Sequence, residues 1–353
     1  MHASRPAADD AGQHPPITGE SLRLALAALL DGLPPSQAAQ AVERLIGTYR
    51  GRTPTSAPVL RDRSDVAAYA AYRMPATFEA VRHALGALRD AAPCWVPASH
   101  LDIGGGTGAA TWATAATWAD GQRTGTVYDW AEPALALGRE LAADAESAAL
   151  RAMRWQRRPI GTGFTLPEPA DLITVSYLLG ELTEADRDAV VAAAAGAGQA
   201  VVVVEPGTPE GYARVLRARA QLIAAGLTVI APCPHDLDCP ITPGTNWCHF
   251  AARVSRSSLH RQVKGGSLSY EDEKFSYVVA VAPSVAPAAG RGPAHRVVRH
   301  PQIRKGQVLL DLCTADGELR REVVTKRRGA LYRSARDVAW GDTWPPADGP
   351  VAD

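Results

Sequence analysis

The feature that most restricts what this chain can become is the run Leu101-Asp102-Ile103-Gly104-Gly105-Gly106-Thr107-Gly108. A short apolar stretch stops at an acid, turns through a cluster of glycines and leads into an alanine-rich segment. Glycines there let the backbone adopt positive φ and approach a ligand that side chains would hold away. The helix that follows leaves N–H groups free at its start for polar ligand atoms. Downstream, apolar strands expected at 100–103, 125–128, 172–176, 200–204 and 227–230 alternate with helices expected at 111–118, 133–148, 184–195 and 209–225. That alternation predicts an α/β fold with a doubly wound, Rossmann-like parallel sheet. A last strand, 275–281, arrives only after a long interruption.

The glycine loop has three readings. Gly104, Gly106 and Ala109 fit the G-x-G-x-x-A pattern of dinucleotide sites, and a purely structural turn needs no ligand. The third reading is S-adenosylmethionine. Asp102, immediately before the turn, suits its cationic methionine end better than a pyrophosphate, and Asp129, ending the next strand, can hold two ribose hydroxyls. The spacing D-x-G-x-G-x-G also resembles motif I of class I methyltransferases. The expected cofactor contacts are therefore Asp102, Gly104, Gly106, Gly108, Asp129 and Ser176.

A length of 353 residues allows two or three units. The expected division is a disordered leader at 1–20, a helical region at 21–90, the Rossmann-like domain at 91–286 with a cysteine-containing insertion at 231–250, a small basic β appendage at 287–341, and a tail. In the helical region, one helix follows Ser21, a second runs from Ser36 to Ile46, a third stops at a Met74-Pro75 break, and a fourth resumes over 76–88. The appendage reads as short strands at 296–299, 306–312, 319–325 and 330–333, a small barrel-like all-β unit. Thirty-seven basic and thirty-seven acidic residues cancel over the whole chain. Between Arg291 and Arg336, however, twelve Lys or Arg face four Asp or Glu. That local excess fits a nucleic-acid-facing end carried on a neutral body, and equally a well-solvated surface. Arg304, Lys305, Lys326, Arg327 and Arg328 are the candidate RNA contacts. No apolar run is long enough for a membrane span, and the start lacks the pattern of an export signal, so a cytoplasmic, bacterial protein is expected.

Of five cysteines, Cys94 reads as an ordinary buried residue. Cys233, Cys239, Cys248 and Cys313 stand apart, the first two in Cys-Pro pairs and the third in Trp247-Cys248-His249-Phe250. Four thiolates can close a tetrahedral zinc site or hold an iron–sulfur cluster. The spacings match neither a zinc ribbon nor a ferredoxin run, and buried unligated thiols are the third reading.

Together these residues resemble one family, the small-ribosomal-subunit assembly factors typified by methyltransferase-like protein seventeen of mitochondria, with yeast and bacterial relatives. The stretches that carry the resemblance are Tyr69 to Thr77, the glycine loop, Ser176-Tyr177-Leu178-Leu179-Gly180-Glu181-Leu182, Val204-Glu205-Pro206-Gly207, the four cysteines in their contexts, and Glu271-Asp272-Glu273-Lys274-Phe275. The resemblance implies a class I methyltransferase domain acting on the small subunit and its RNA, and a [4Fe-4S] cluster rather than zinc on Cys233, Cys239, Cys248 and Cys313. It implies either an rRNA methyltransferase or an assembly factor that binds rRNA without methyl transfer. Ser176-Tyr177-Leu178-Leu179 stands where amino-methylating enzymes carry an Asn or Asp before Pro-Pro and an aromatic residue. No cysteine nucleophile lies nearby, so no catalytic residue is assigned; Tyr177 and Glu181 are candidates to touch a base or the cofactor, and helix capping and packing explain them equally well.

Overall fold

The computed structural model describes residues 17–29, 39–40, 42, 63–119, 123–242, 244, 246–257, 268–285 and 295–346. Most of the expected leader, most of the helix from Ser36 to Ile46, and the linker after Pro287 lie outside them; of the leader, Gly19 and Glu20 already belong to the first helix. Helix α1 (Gly19–Leu29) packs on a long helix, α2 (Arg63–Ala91). In α2, Ala67, Ala71, Met74, Phe78, Val81, Leu85 and Leu88 recur every three or four residues and are all buried. That single apolar stripe is what a helix needs to lie along a core. The break expected at Met74-Pro75 does not occur, because α2 runs through Pro75. Proline costs the helix one internal hydrogen bond, but burial of Met74 and Phe78 and the anchoring of Arg73, described below, hold both halves on one axis.

The central sheet contains β1 (Ser99–Ile103), β2 (Thr124–Asp129), β3 (Arg154–Arg157), β4 (Ala170–Ser176), β5 (Gly198–Pro206), β6 (Thr228–Ala231), β7 (Phe250–Ser255) and β8 (Tyr270–Val281). Its order is β3-β2-β1-β4-β5-β8-β6, with β7 paired to β8. The first five strands are parallel, and β8 runs antiparallel to β5, β6 and β7. A doubly wound sheet with an antiparallel strand inserted between its fifth and sixth members is the class I methyltransferase, Rossmann-like arrangement. Along β5 the side chains alternate between two cores. Ala200, Val202 and Val204 face the layer of α2, α3 (Ala109–Thr117) and α4 (Glu132–Ala143), while Val201 and Val203 face α6 (Glu184–Ala197) and α7 (Pro209–Ala224). A strand covered on both faces reads as a continuous apolar run, as Ala200 to Val204 does.

Three local expectations are corrected. The helix expected over 133–148 ends at Ala143, and a separate turn, α5 (Ala148–Arg151), starts where Ser147 accepts from the Leu150 N–H. Strand β3 went unforeseen because it is an edge in which only Trp155 is buried, so it lacks an apolar run. In the appendage, the stretch expected as a strand at 330–333 is a helix, α8 (Ala330–Asp337), which buries Leu331, Tyr332 and Ala335 along one side.

The appendage sheet is open and not a barrel: β10 (Gln302–Arg304), β11 (Gln307–Thr314), β9 (His295–Val297) and β13 (Thr343–Trp344) in that order, with β12 (Leu319–Thr325) on β11. It has its own core around Val297, Leu310, Leu312 and Trp344. It is tied to the main domain by Arg296, whose Nε donates to Pro232 O at 2.9 Å. No helix among the described residues is long and apolar enough to cross a membrane.

Candidate cofactor cleft and cysteine cavity

β1 delivers Asp102 beneath the glycine loop, and β2 delivers Asp129 beside it. Gly104 N–H donates to Tyr128 O at 2.7 Å, and Gly106 N–H donates to Asp129 Oδ2 at 2.9 Å. Gly104, Gly106 and Gly108 all have positive φ. Gly105 is required for a different reason: a Cβ there would lie 2.2 Å from Asp102 Oδ2. Asp102 is completely buried. Its Oδ1 accepts from Thr174 Oγ1 at 2.7 Å, and Thr174 Oγ1 lies 2.8 Å from His100 Nε2. Since the Thr174 proton is committed to Asp102, His100 supplies the N–H in that second bond. Asp102 Oδ2 has no partner.

The acids of this cleft oppose one another. Burial pushes the Asp102 carboxyl up to about 7; the Thr174 bond opposes that shift and the charge of Asp129 adds to it. Asp129 is raised by burial against its backbone donors. Glu181 is an exposed residue, yet its carboxyl is pushed up to about 7 by desolvation and then by Asp129 and Glu205. Solvent tempers the first of these causes, so the like charges carry the argument for Glu181. A cationic ligand would relieve all three.

One side of the cleft is closed by a latch that sequence reasoning missed. Tyr177, directly after β4, has φ 55°, the one positive φ outside glycine among the described residues. Its hydroxyl donates to Glu273 Oε1 at 2.9 Å, and Arg73 grips both oxygens of Glu273 at 2.7 and 3.1 Å. The Arg73 guanidinium sits 5.0 Å from the Tyr177 ring centre. Next to it, Thr107 Oγ1 contacts Met74 Sδ at 3.4 Å, so α2 lies over the glycine loop. Burial, and then Glu273, raise the Tyr177 phenol well above its usual value. It is therefore a neutral donor and no base. The arginine in Tyr72-Arg73-Met74-Pro75 and the acid in Glu271-Asp272-Glu273 were the only signals of this latch, and nothing in the spacing pairs them.

The four cysteines line one cavity of about 40 Å³, shared with Tyr212, Arg219, Tyr277 and Arg296. Cys239 Sγ is 3.1 Å from Tyr212 Oη, and Cys313 Sγ is 3.5 Å from His235 Nε2. Burial pushes Cys313 up to about 12, and Cys233 and Cys239 add to it. Burial also raises Cys248 well above the usual thiol value, with Cys233, Cys239 and Cys313 contributing. Cys233 is raised by burial against the pull of Arg219. Arg219 Nε and Tyr277 Oη are buried without partners. Among the described residues, no group of three or more His, Cys, Asp or Glu converges closely enough to hold a metal ion. Cys94, read as buried, is exposed in the turn that follows α2.

Residues 63–345 match the family described as mitochondrial small ribosomal subunit Rsm22. The chain belongs to the Rsm22 family. It is 30% identical over 301 residues to the human protein named ribosome assembly protein METTL17, mitochondrial, covering 78% of this chain and 62% of that one. It is 30% identical over 185 residues to Rsm22-cox11 tandem protein 2, mitochondrial, of Schizosaccharomyces pombe, covering 42% of this chain and 25% of the relative. The chain thus spans less than two thirds of the curated relatives it matches. Among solved structures it is similar to an O-methyltransferase family protein from Burkholderia thailandensis, with TM-score 0.40 and 12% identity over 74% of this chain and 71% of that one.

The remaining expected site residues of this Rsm22-family chain fall as follows. Ser176 is buried at the end of β4, where its backbone pairs with Val204. Arg304, Lys305, Lys326, Arg327 and Arg328 are all exposed. They converge at one end of the small sheet, because Lys326 N–H donates to Gly306 O at 3.0 Å. Arg328 is spent on Glu322 at 2.9 Å. Trp130, exposed beside Asp129, is a further residue at the cleft that the sequence reading passed over.

Proposed function

We propose that this chain is an S-adenosylmethionine-binding factor that acts on the small ribosomal subunit during its assembly. The buried, unpartnered Asp102 Oδ2 carries the cofactor part of this reading. A buried acid with one oxygen unpaired and like-charged neighbours is costly, and a ligand ammonium would satisfy that oxygen. Asp129, although both its oxygens already accept backbone N–H groups, keeps lone pairs for ribose hydroxyls. The cofactor, when bound, would supply an electrophilic methyl group. The subunit part rests on the family, and on the exposed basic end at Arg304, Lys305, Lys326 and Arg327.

In the cavity, Cys233, Cys239, Cys248 and Cys313 would hold a [4Fe-4S] cluster, with Arg219 and Arg296 offsetting its negative charge. This rests on the family resemblance, on four thiols sharing one space and on the two arginines lining it. Zinc, which binds thiolates tetrahedrally, is the alternative occupant of the same four residues. A cluster takes one thiolate on each iron.

A second reading, methyl transfer to small-subunit rRNA, is favoured by the intact loop and both acids. The latch weighs against it, since Tyr177 gives its proton to Glu273 and offers no base. Labelled S-adenosylmethionine, anaerobically purified protein and small subunits from cells lacking this gene separate the two. Label at one rRNA site, lost with Asp102→Ala, would establish an enzyme. Stable association and cofactor binding without label support an assembly factor. Failure to bind either the subunit or S-adenosylhomocysteine would remove the proposal.

A further inference from the structure

Four rings form a continuous ladder where the main domain meets the appendage. Trp247 and His249 stack with centres 5.3 Å apart and planes at 24°. His249 meets Trp340 edge-on at 4.9 Å, and Trp340 meets His300 edge-on at 4.7 Å. The ladder is fixed from behind. Trp247 Nε1 donates to Gly207 O at 2.9 Å, and Trp340 lies 6.0 Å from the buried ring of Phe250. It ends on His300, which is exposed.

Both signs of charge occur near the ladder: Asp342, two positions from Trp340, accepts from Ala339 N–H at 2.8 Å, and the cations are Arg299 and Lys274. Arg299 and Lys274 lie close to the His249 ring. Arg299 is held on Asn246 Oδ1 and Trp247 O, not on a carboxylate. Among the described residues, neither Arg299 nor Lys274 forms an ion pair with an acid. Aromatic faces interleaved with unneutralised cations suit one ligand class above others: unpaired bases on a phosphate backbone. Arg304 is four positions on from His300, a span of at most ~14 Å. The rings therefore continue into the basic end of the small sheet.

We propose that Trp247, His249, Trp340 and His300, with Arg299 and Lys274, form a stacking platform for the bases of single-stranded RNA. This rests on the ribosomal reading and gives it a division of labour. The rings take bases, while Arg304, Lys305, Lys326 and Arg327 take phosphates.

The test uses the full chain, a short labelled oligouridylate and its abasic counterpart of equal length and charge, read by fluorescence anisotropy. The native protein should bind the oligouridylate more tightly. His249→Ala with His300→Ala should lower that affinity about tenfold, the size of one lost base stack, and leave the abasic ligand unchanged. Trp247→Phe, which keeps a ring, should retain most of the preference, and circular dichroism of each variant excludes a folding defect. Equal loss on both ligands, or no preference by the native protein, overturns the platform. If Lys326→Gln with Arg327→Gln weakens both ligands while the histidine variant changes neither, the platform falls and the RNA reading stands. If the native protein binds neither ligand nor small-subunit RNA, both fall.

Discussion

The cofactor cleft and the cysteine cavity use the same physics and reach it by opposite routes. Each gathers like groups in a buried space and leaves polar atoms unpaired: Asp102 Oδ2 in the cleft, Arg219 Nε and Tyr277 Oη in the cavity. The cleft is built almost wholly from neighbouring sequence, since Asp102 to Gly108 and Asp129 sit at the ends of adjacent parallel strands. The cavity draws on the loops after β6, the approach to β7, and β11 of the appendage. One can form as soon as the sheet does. The other requires two units to dock. In the cleft Arg73 is spent on Glu273, whereas two arginines line the cavity, so the first calls for a positive ligand and the second for a negative one.

The largest expected effect tests the cleft. The Asp102 carboxyl is raised to about 7 in the folded protein from about 3.9 when unfolded. Between these values the folded state holds a proton that the unfolded state has released, so stability falls as pH rises from about 4 through 7. Wild-type protein should lose roughly 4 kcal/mol across that window from this group alone. Asp102→Asn should flatten the profile and, in calorimetry, weaken S-adenosylhomocysteine binding by about 1–3 kcal/mol. Identical pH profiles of melting temperature in the two proteins would break the claim that the cleft stores unpaired acid.

A smaller effect tests the cavity. Cys313 reaches the other thiols only from the appendage, so chelation of a bound metal, or Cys313→Ser, should free residues 295–346 for proteolysis while leaving the central sheet resistant. The expected fall in melting temperature is a few degrees, matching ~1–2 kcal/mol for a domain this large. Because the thiols are raised by burial and by each other, metal binding should release protons and strengthen as pH rises. Cys94→Ser is the control, being exposed and remote from the cavity. Equal protease resistance in Cys313→Ser and Cys94→Ser would mean that the cavity does not hold the units together.

The contrast also explains what could be read beforehand. Asp102, Gly104, Gly106, Gly108 and Asp129 were legible because strand, turn and helix signals are local, and the sheet's apolar runs announced their own burial. The four cysteines were legible as a set by residue type, while their meeting at one cavity depended on docking that no periodicity encodes. Pro75 misled because proline's local cost was outweighed by the tertiary anchoring of Arg73 and Met74. Strand β3 was invisible because an edge with one buried tryptophan carries no alternation. Tyr177, Arg73 and Glu273, from three separate elements, became a unit only in the fold.

That latch supplies the smallest effect and the sharpest view of the cleft's closed side. Tyr177→Phe removes the phenolic donor but keeps the ring beneath Arg73. Glu273 then retains both guanidinium bonds, so the loss should be about 1 kcal/mol, one hydrogen bond to a charged acceptor partly compensated. Tyr177→Gly relieves the positive φ but gives up a buried ring, and should be the more destabilised of the two by chemical denaturation. If Tyr177→Phe were as damaging as Tyr177→Gly, the hydroxyl would matter more than the packing. The closed side would then be held, like the cavity, by polar groups from distant segments and not, like the loop, by local geometry.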